Sequence, residues 1–267
     1  MTKDQTAVCR VCEKSAEFFF EKQILGKYNV AYFKCGTCGQ VQTEEPHWLE
    51  EAYRDRDSKL DVGMADRCIW TALTTVALGW RLKIAPAAPC LDWGAGTGLF
   101  VRLCRDYGMN FFYFDRYPRN VFAQGFEANP SDRENWVCIS AFEVAEHLPN
   151  PREDFGELFR LSPRYVVFST LLYKGESPDW WYFTDNGQHV AFYTRCSLEE
   201  IGKRYGYRLA TNGRDLHLFS KEEIRDRVLK VSRKNRQTLS GRYRKKYGSR
   251  METDFEDVGG GRIRDLD

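Results

Sequence analysis

Three groups of residues in this 267-residue chain have the types and spacing to do chemistry. The first is Asp92-Trp93-Gly94-Ala95-Gly96-Thr97-Gly98, an acid followed by glycines at every second position. An apolar run, Ala87 to Leu91, precedes it, and a helical pattern (Leu99, Phe100, Leu103, Cys104) follows, which predicts strand, tight turn, helix. Glycines at such a turn adopt positive φ and let a ligand approach the main chain, and the helix start offers unpaired N–H groups. A second apolar run, Phe111 to Phe114, ends in Asp115, where an acid takes ribose hydroxyls in doubly wound folds. The chemistry implied is the holding of a nucleoside.

The second group is a pair of C-x-x-C knuckles, Cys9/Cys12 and Cys35/Cys38, with 22 residues between them. Each knuckle aims two thiolates at one point, and two knuckles supply a closed S4 site for structural Zn²⁺. A redox dithiol is the competing reading. Phe18 to Phe20 and Val30 to Phe33 read as short strands of a zinc-ribbon-like lobe, too small to bury a sufficient core unaided. The third group is formed by His147, in Glu143-Val-Ala-Glu-His147-Leu-Pro-Asn-Pro151, and His189, just after the aromatic run Trp180 to Phe183.

The glycine spacing is G-x-G-x-G, not the G-x-G-x-x-G of dinucleotide sites. With its leading acid it resembles motif I of the class I S-adenosylmethionine (SAM)-dependent methyltransferases. The stretch from Glu143 to Pro151 resembles the E-V-x-E-H-x-x-x-P signature that follows the fourth strand in many small-molecule methyltransferases. The resemblance implies that Asp92, Gly94, Ala95, Gly96 and Gly98 hold SAM, that Asp115 takes its ribose, and that Ser140, Ala141 and Phe142 border it. His189, Phe192, Tyr193 and Thr194 resemble an element of zinc-bearing sugar C-methyltransferases whose histidine is a proposed base, although Gln188 stands where an acid usually precedes that histidine. His189 is therefore the first candidate for the base and His147 the second. A histidine that only ties down its loop is the alternative. Tyr53, Asp61 and Arg67, just before motif I, are weaker candidates for touching substrate or SAM.

The elements that must position these groups follow. Residues 1–45 form the zinc-binding lobe, 46–86 a helical linker and cap, 87–220 the methyltransferase core, and 221–267 a basic helix and flexible tail. The expected fold class is α/β: a Rossmann-like, seven-stranded sheet ending in an antiparallel hairpin (Tyr207 to Thr211 and Leu216 to Ser220), plus the zinc lobe. Phe122 to Phe126 is a candidate strand. Net charge is +2, yet residues 221–250 carry twelve Lys/Arg against three Asp/Glu, so the body is acidic. No stretch is apolar enough to span a bilayer, and the first residues lack a signal-peptide pattern, which together with reduced cysteines reads as cytoplasmic. The expected partner is a small-molecule acceptor, with no membrane. A nucleic acid, met by the zinc lobe and basic segment, is the rival, and a SAM-fold binding module without activity is a third reading.

Overall fold

The computed structural model describes residues 6–54, 63–117, 119–132 and 135–259, so Asp61 lies outside the described residues. Strands β1 (Thr6–Val8), β2 (Ser15–Ile24), β3 (Tyr28–Cys35) and β4 (Val41–Thr43) precede helices α1 (Leu49–Arg54) and α2 (Met64–Arg81). Next come β5 (Pro89–Trp93), α3 (Leu99–Asp106), β6 (Asn110–Phe114), β7 (Cys138–Ala141), α4 (Pro151–Arg160) and β8 (Tyr165–Ser169). The chain closes with β9 (Ala191–Phe192), α5 (Arg195–Arg204), β10 (Arg208–Thr211), β11 (Leu216–Ser220), α6 (Arg233–Tyr247) and α7 (Met251–Gly259). Two compact units result: Met1–Asp61 with Glu143–Arg160 and Phe168–Ile224, and Val62–Phe142 with Leu161–Val167 and Arg225–Asp267.

The first unit contains the antiparallel sheet β1-β2-β3-β4-β9. The expected short strands are the middle of a long hairpin, closed by Leu25 and Gly26 at φ 50° and 69°. Its inner face meets a cluster of large aromatics, including Phe20, Tyr32, Trp48, Phe183 and Phe192. Phe20 and Tyr32 stack at 4.3 Å between ring centres. β4 closes the sheet by pairing with β9, Val41 opposite Phe192.

The other sheet has the order β10-β11-β8-β7-β5-β6. In the second unit β5 runs parallel to both β6 and β7, with Asp92 opposite Tyr113 on one side and Ser140 on the other. In the first unit β10 and β11 form the expected antiparallel hairpin. The α/β methyltransferase-type sheet with its terminal hairpin is therefore present, with six strands among the described residues where seven were expected. The stretch expected as a strand at Phe122–Phe126 is irregular. Gly125 sits at φ 85°, Val121 and Phe122 are exposed, and only an isolated parallel bridge, Tyr113 to Glu127, marks the outer position. Ala123 and Phe126 are buried, but they lie three positions apart, and a glycine in the left-handed region interrupts the alternation that a strand needs.

The carboxyl-terminal segment also departs from expectation. Helix α6 starts only at Arg233, where Ser232 caps it by accepting from the Asn235 N–H at 3.2 Å. It packs through buried Tyr243, whose hydroxyl donates to the Ile84 carbonyl at 3.1 Å. Residues 251–259, expected to be flexible, form α7, anchored by a cluster of ion pairs on Asp254. Asp254 is 3% exposed and accepts two hydrogen bonds from Arg105 (2.7 and 2.6 Å) and one from Arg102 (2.8 Å). Arg105, 2% exposed, also donates to the Phe111 carbonyl and lies 3.7 Å over the Phe126 ring. No helix among the described residues is long and apolar enough to cross a membrane. Breaking a buried ion pair strands the other charge, so Asp254→Asn is expected to lower unfolding free energy by about 3 kcal/mol, read by urea denaturation. A change within about 0.5 kcal/mol, the range of surface substitutions, would contradict this anchoring role.

Candidate functional site

In the second unit, β5 delivers Asp92 into the corner before α3. Gly94, Gly96 and Gly98 sit at φ 80°, 56° and 83°, the conformation glycine alone adopts freely. The reasons differ along the turn. A Cβ on Gly98 would come within 2.6 Å of Asn120 Oδ1 and 3.1 Å of the Ala123 backbone nitrogen, so packing requires glycine there. A Cβ on Gly96 would meet nothing within 4 Å, so that side of the turn is open space a ligand can fill. Asp115 closes the corner: one carboxylate oxygen accepts from the Gly96 N–H at 2.9 Å and the other from the Tyr117 N–H at 3.0 Å. Tyr113 donates its hydroxyl to the Gly96 carbonyl at 3.0 Å. An acid fixed this way is held in one orientation by the main chain.

Asp92 is 4% exposed, and its one side-chain donor is the Ser140 hydroxyl at 2.6 Å. Burial pushes its carboxyl up to about 7 against the pull of that hydrogen bond, with the charge of Asp115 adding to the rise. Ser140 and Ala141 are themselves buried, so Ser140 supports Asp92 from beneath. Phe142 is half-buried and tilts against Phe100 at 5.2 Å.

In the first unit the four cysteines of the knuckles come together. Cys9 and Cys38 sulfurs lie 3.6 Å apart and those of Cys12 and Cys35 3.5 Å. Tetrahedral Zn²⁺ with bonds of about 2.3 Å sets its sulfurs roughly 3.8 Å apart, while a disulfide needs about 2.05 Å. The donors fit the metal. The hydrogen bond from Cys38 draws the Cys9 thiol down to about 5, and the same bond pushes Cys38 up.

The same unit assembles the histidines. A single 3₁₀ turn, Ala145–His147, follows Glu143. Its carbonyls are fixed from outside: Tyr193 donates its hydroxyl to Ala145 (2.7 Å) and Val190 its N–H to Glu146 (2.8 Å). His147 Nδ1 lies 3.0 Å from the Gln188 carbonyl, and His189 Nδ1 lies 3.0 Å from the Tyr182 carbonyl. A carbonyl can only accept, so each Nδ1 donates and each neutral ring carries its lone pair on Nε2. The rings meet edge to face at 5.0 Å. Between them sits a residue whose part the sequence reading missed, Glu146, 1% exposed, with neither carboxylate oxygen hydrogen-bonded. Burial pushes it up to about 7, and the neighbouring Glu143 adds to the rise. Burial likewise draws His189 down to about 4. The motif E-x-x-E-H contained this signal, but not which acid turns inward.

Glu143 itself stays exposed and is held by Ser169, which donates its hydroxyl to Oε1 at 2.6 Å. It lines a cleft of about 200 Å³ with Thr170, Leu171, Trp181, Tyr182, Arg214 and Asp215. Trp180 packs into the aromatic core while Trp181 is 70% exposed at the cleft. Tyr182 connects cleft and histidines, its ring 4.4 Å from that of His189. Tyr53 tilts toward His147 at 6.2 Å. Cleft and cluster belong to the first unit and the glycine corner to the second.

The raised Asp92 carboxyl makes stability depend on pH. Its folded value exceeds the ordinary value of 3.8, so its contribution is full below that pH and is lost as pH rises through about 7. Within that window each pH unit is worth up to about 1.4 kcal/mol. Asp92→Asn is expected to remove this slope, so the stability difference between variant and parent grows from pH 4 to 7 in urea titrations. Parallel pH profiles for the two proteins would rule out a proton on Asp92.

A family profile described as "Methyltransferase domain" matches residues 65–212. No curated protein matches the sequence. Among solved structures the chain is similar to CalO1, a methyltransferase in calicheamicin biosynthesis solved with S-adenosylhomocysteine (12% identity, 65% of this chain and 61% of that chain, TM-score 0.43). It is also similar to human N-acetylserotonin methyltransferase in complex with SAM (12%, 67% and 60%, TM-score 0.45). A third is the 1,6-didemethyltoxoflavin-N1-methyltransferase of Burkholderia thailandensis (14%, 75% and 97%, TM-score 0.42). The matched region spans about three fifths of each of the first two proteins. The profile match covers more than half of the chain and takes in the glycine corner, the Glu146–His147 turn and His189, so this protein belongs to the methyltransferase-domain family of SAM-dependent enzymes.

Proposed function

We propose that the protein moves the SAM methyl group to a small-molecule acceptor, a sugar or another secondary metabolite, on oxygen or carbon. The observation that carries this reading is the lining of the first unit's cleft. The exposed Trp181 offers a face for a ring to stack on, with the buried Tyr182 behind it, while Glu143, Asp215 and Arg214 offer polar partners for that ring's hydroxyls. At about 200 Å³ the cleft suits one small ring. Of its lining side chains only Arg214 is cationic, against two carboxylates, which disfavours a nucleic-acid backbone.

In this reading Asp92 and the turn Gly94-Ala95-Gly96-Thr97-Gly98 hold the amino-acid portion of SAM, Asp115 takes the ribose hydroxyls, and Phe142 contributes a wall beside Ser140 and Ala141. The methyl carbon passes from sulfur to the acceptor nucleophile in line, and the sulfur keeps the bonding pair. Little covalent chemistry is asked of the protein beyond alignment and removal of the acceptor's proton. The Nε2 lone pair of His189 is the electron-pair donor on which that removal depends, with His147 beside it. The four cysteines carry Zn²⁺, with every coordination position taken by sulfur, so the ion stabilises its lobe and leaves no position for substrate.

Two measurements test this. Incubation with SAM and a metabolite pool is expected to yield a product heavier by one methylene, and His189→Ala to lower turnover about 100-fold or more with S-adenosylhomocysteine affinity unchanged. Unaltered turnover would remove His189 from the reaction. For the lobe, metal analysis of protein stripped of loosely held ions is expected to find one zinc per chain, lost together with thermal stability in Cys35→Ser. A zinc-free parent protein with an unchanged melt would refute the S4 site.

A further inference from the structure

Glu146, His147 and His189 bring their ligand atoms within 4.8 Å of one another. We propose that this cluster is a second metal site, one that takes a divalent transition cation on two imidazole Nε2 atoms and one carboxylate and leaves positions open for the acceptor's oxygen.

Three independent features support it. The first is the buried acid. Glu146 is 1% exposed and both its oxygens lack a hydrogen-bond partner. Native proteins rarely leave a buried carboxylate so bare. The nearby Tyr182 hydroxyl interacts only weakly with it and also meets Thr170 Oγ1 and the Leu171 N–H, each at 3.4 Å. A dication is the partner that satisfies both oxygens and the charge together.

The second is the orientation of the rings. Both histidines donate Nδ1–H to backbone carbonyls at 3.0 Å. Metal-binding histidines are held in this way, since the outer hydrogen bond fixes the tautomer and turns the Nε2 lone pair to the ion. A histidine serving only as a loop tie needs no second imidazole at 5.0 Å.

The third is the fit. Bonds of about 2.1 Å place neighbouring ligand atoms roughly 3.0–3.4 Å apart. Starting from 4.8 Å at most, each side chain moves by less than about 1 Å. Two nitrogens and one carboxylate favour zinc, manganese or ferrous iron over calcium, and the softer S4 set of the knuckles is chemically distinct. Both histidines are only partly buried, which leaves the ion open on one side.

The site deepens the acceptor reading and rests on it for its role in turnover, though not for binding itself. An acceptor hydroxyl on the cation loses its proton to solvent more readily as the metal–oxygen bond forms. The resulting oxyanion attacks the SAM methyl, the C–S bond breaks toward sulfur, and S-adenosylhomocysteine and the methyl ether are the products. No electron is transferred to or from the metal.

Manganese separates the two sites, because Mn²⁺ binds thiolates poorly and is read by paramagnetic resonance. The full chain, its S4 site loaded with zinc, is titrated with Mn²⁺. One bound ion per chain is expected, with affinity reduced at least tenfold in Glu146→Gln and abolished in the double variant His147→Ala/His189→Ala. Glu146→Gln removes a bare buried charge at constant shape, so it is expected to fold at least as well as the parent, which a melt in EDTA checks. Failure of the parent to bind Mn²⁺ or a second Zn²⁺, or equal affinity in Glu146→Gln, overturns the site. If no ion binds yet His189→Ala still loses turnover, the site is refuted and His189 stands as a proton acceptor. If the ion binds as described while His189→Ala turns over normally, the site stands and its role in the reaction falls.

Discussion

A carboxylate withdrawn from water needs a cation or a set of donors around it. Among the described residues three acids are almost wholly buried, and they meet that need to very different degrees. Asp254 has it in full, with two arginines and three short hydrogen bonds. Asp92 has one serine hydroxyl. Glu146 has no well-formed hydrogen bond to either oxygen, with the Tyr182 hydroxyl as its one weak neighbour. The first is architecture complete in itself. The other two are left short of partners by the protein itself, and they are the acids to which the proposals above give a ligand: the SAM sulfonium nucleoside at Asp92 and a cation at Glu146.

The surrounding elements are explained by the need to hold those acids in place. β5 and β7 are parallel neighbours whose register sets Asp92 against Ser140, so the single donor Asp92 has is fixed by the sheet and not by a loop. Beyond the corner, Gly98 is imposed by the packing of Asn120 and Ala123, whereas nothing in the protein crowds Gly96. Glycine takes a positive φ there without strain, and the missing side chain leaves room beside the main chain that a ligand can use. The 3₁₀ turn bearing Glu146 is likewise held at its Ala145 and Glu146 carbonyls, by Tyr193 and Val190. The bare acid is thus rigid, which is what binding demands and what stability alone does not.

Features encoded within a short stretch were legible in the sequence. The glycine corner, Asp115 at the end of the next strand and the two cysteine knuckles depend on spacing over a few residues. The hairpin at the end of the sheet is announced by Asn212-Gly213. What the sequence hid is long-range. Arg105 and Asp254 are 149 positions apart, so a segment without a hydrophobic stripe read as a tail although its charge was already spoken for. Phe122–Phe126 had the composition of a strand, but Gly125 at positive φ and the burial of Ala123 and Phe126, three positions apart and not alternating, denied it one. The two acids of Glu143-Val-Ala-Glu146 are equivalent as text. Only the turn distinguishes the exposed one, bound to Ser169, from the buried one.

The same distance effect gives the cysteine lobe a larger part than its sequence suggests. β4, which follows the second knuckle, pairs with β9, which follows His189, and the Thr43 N–H reaches the Val190 carbonyl at 3.1 Å. Thr194, which caps α5, donates its hydroxyl to the carbonyl of Cys38 at 2.6 Å. The segment from His189 to Thr194 is therefore bracketed by groups from the lobe. An ion that closes the knuckles draws Cys9 and Cys12 to Cys35 and Cys38 and stiffens the edge on which β9 lies. Without it, the lobe's small sheet has little core of its own near the knuckles to resist fraying. The ion proposed for the knuckles would in this way set how firmly His189 is presented without meeting substrate, a physical reason for such a lobe to be joined to this fold.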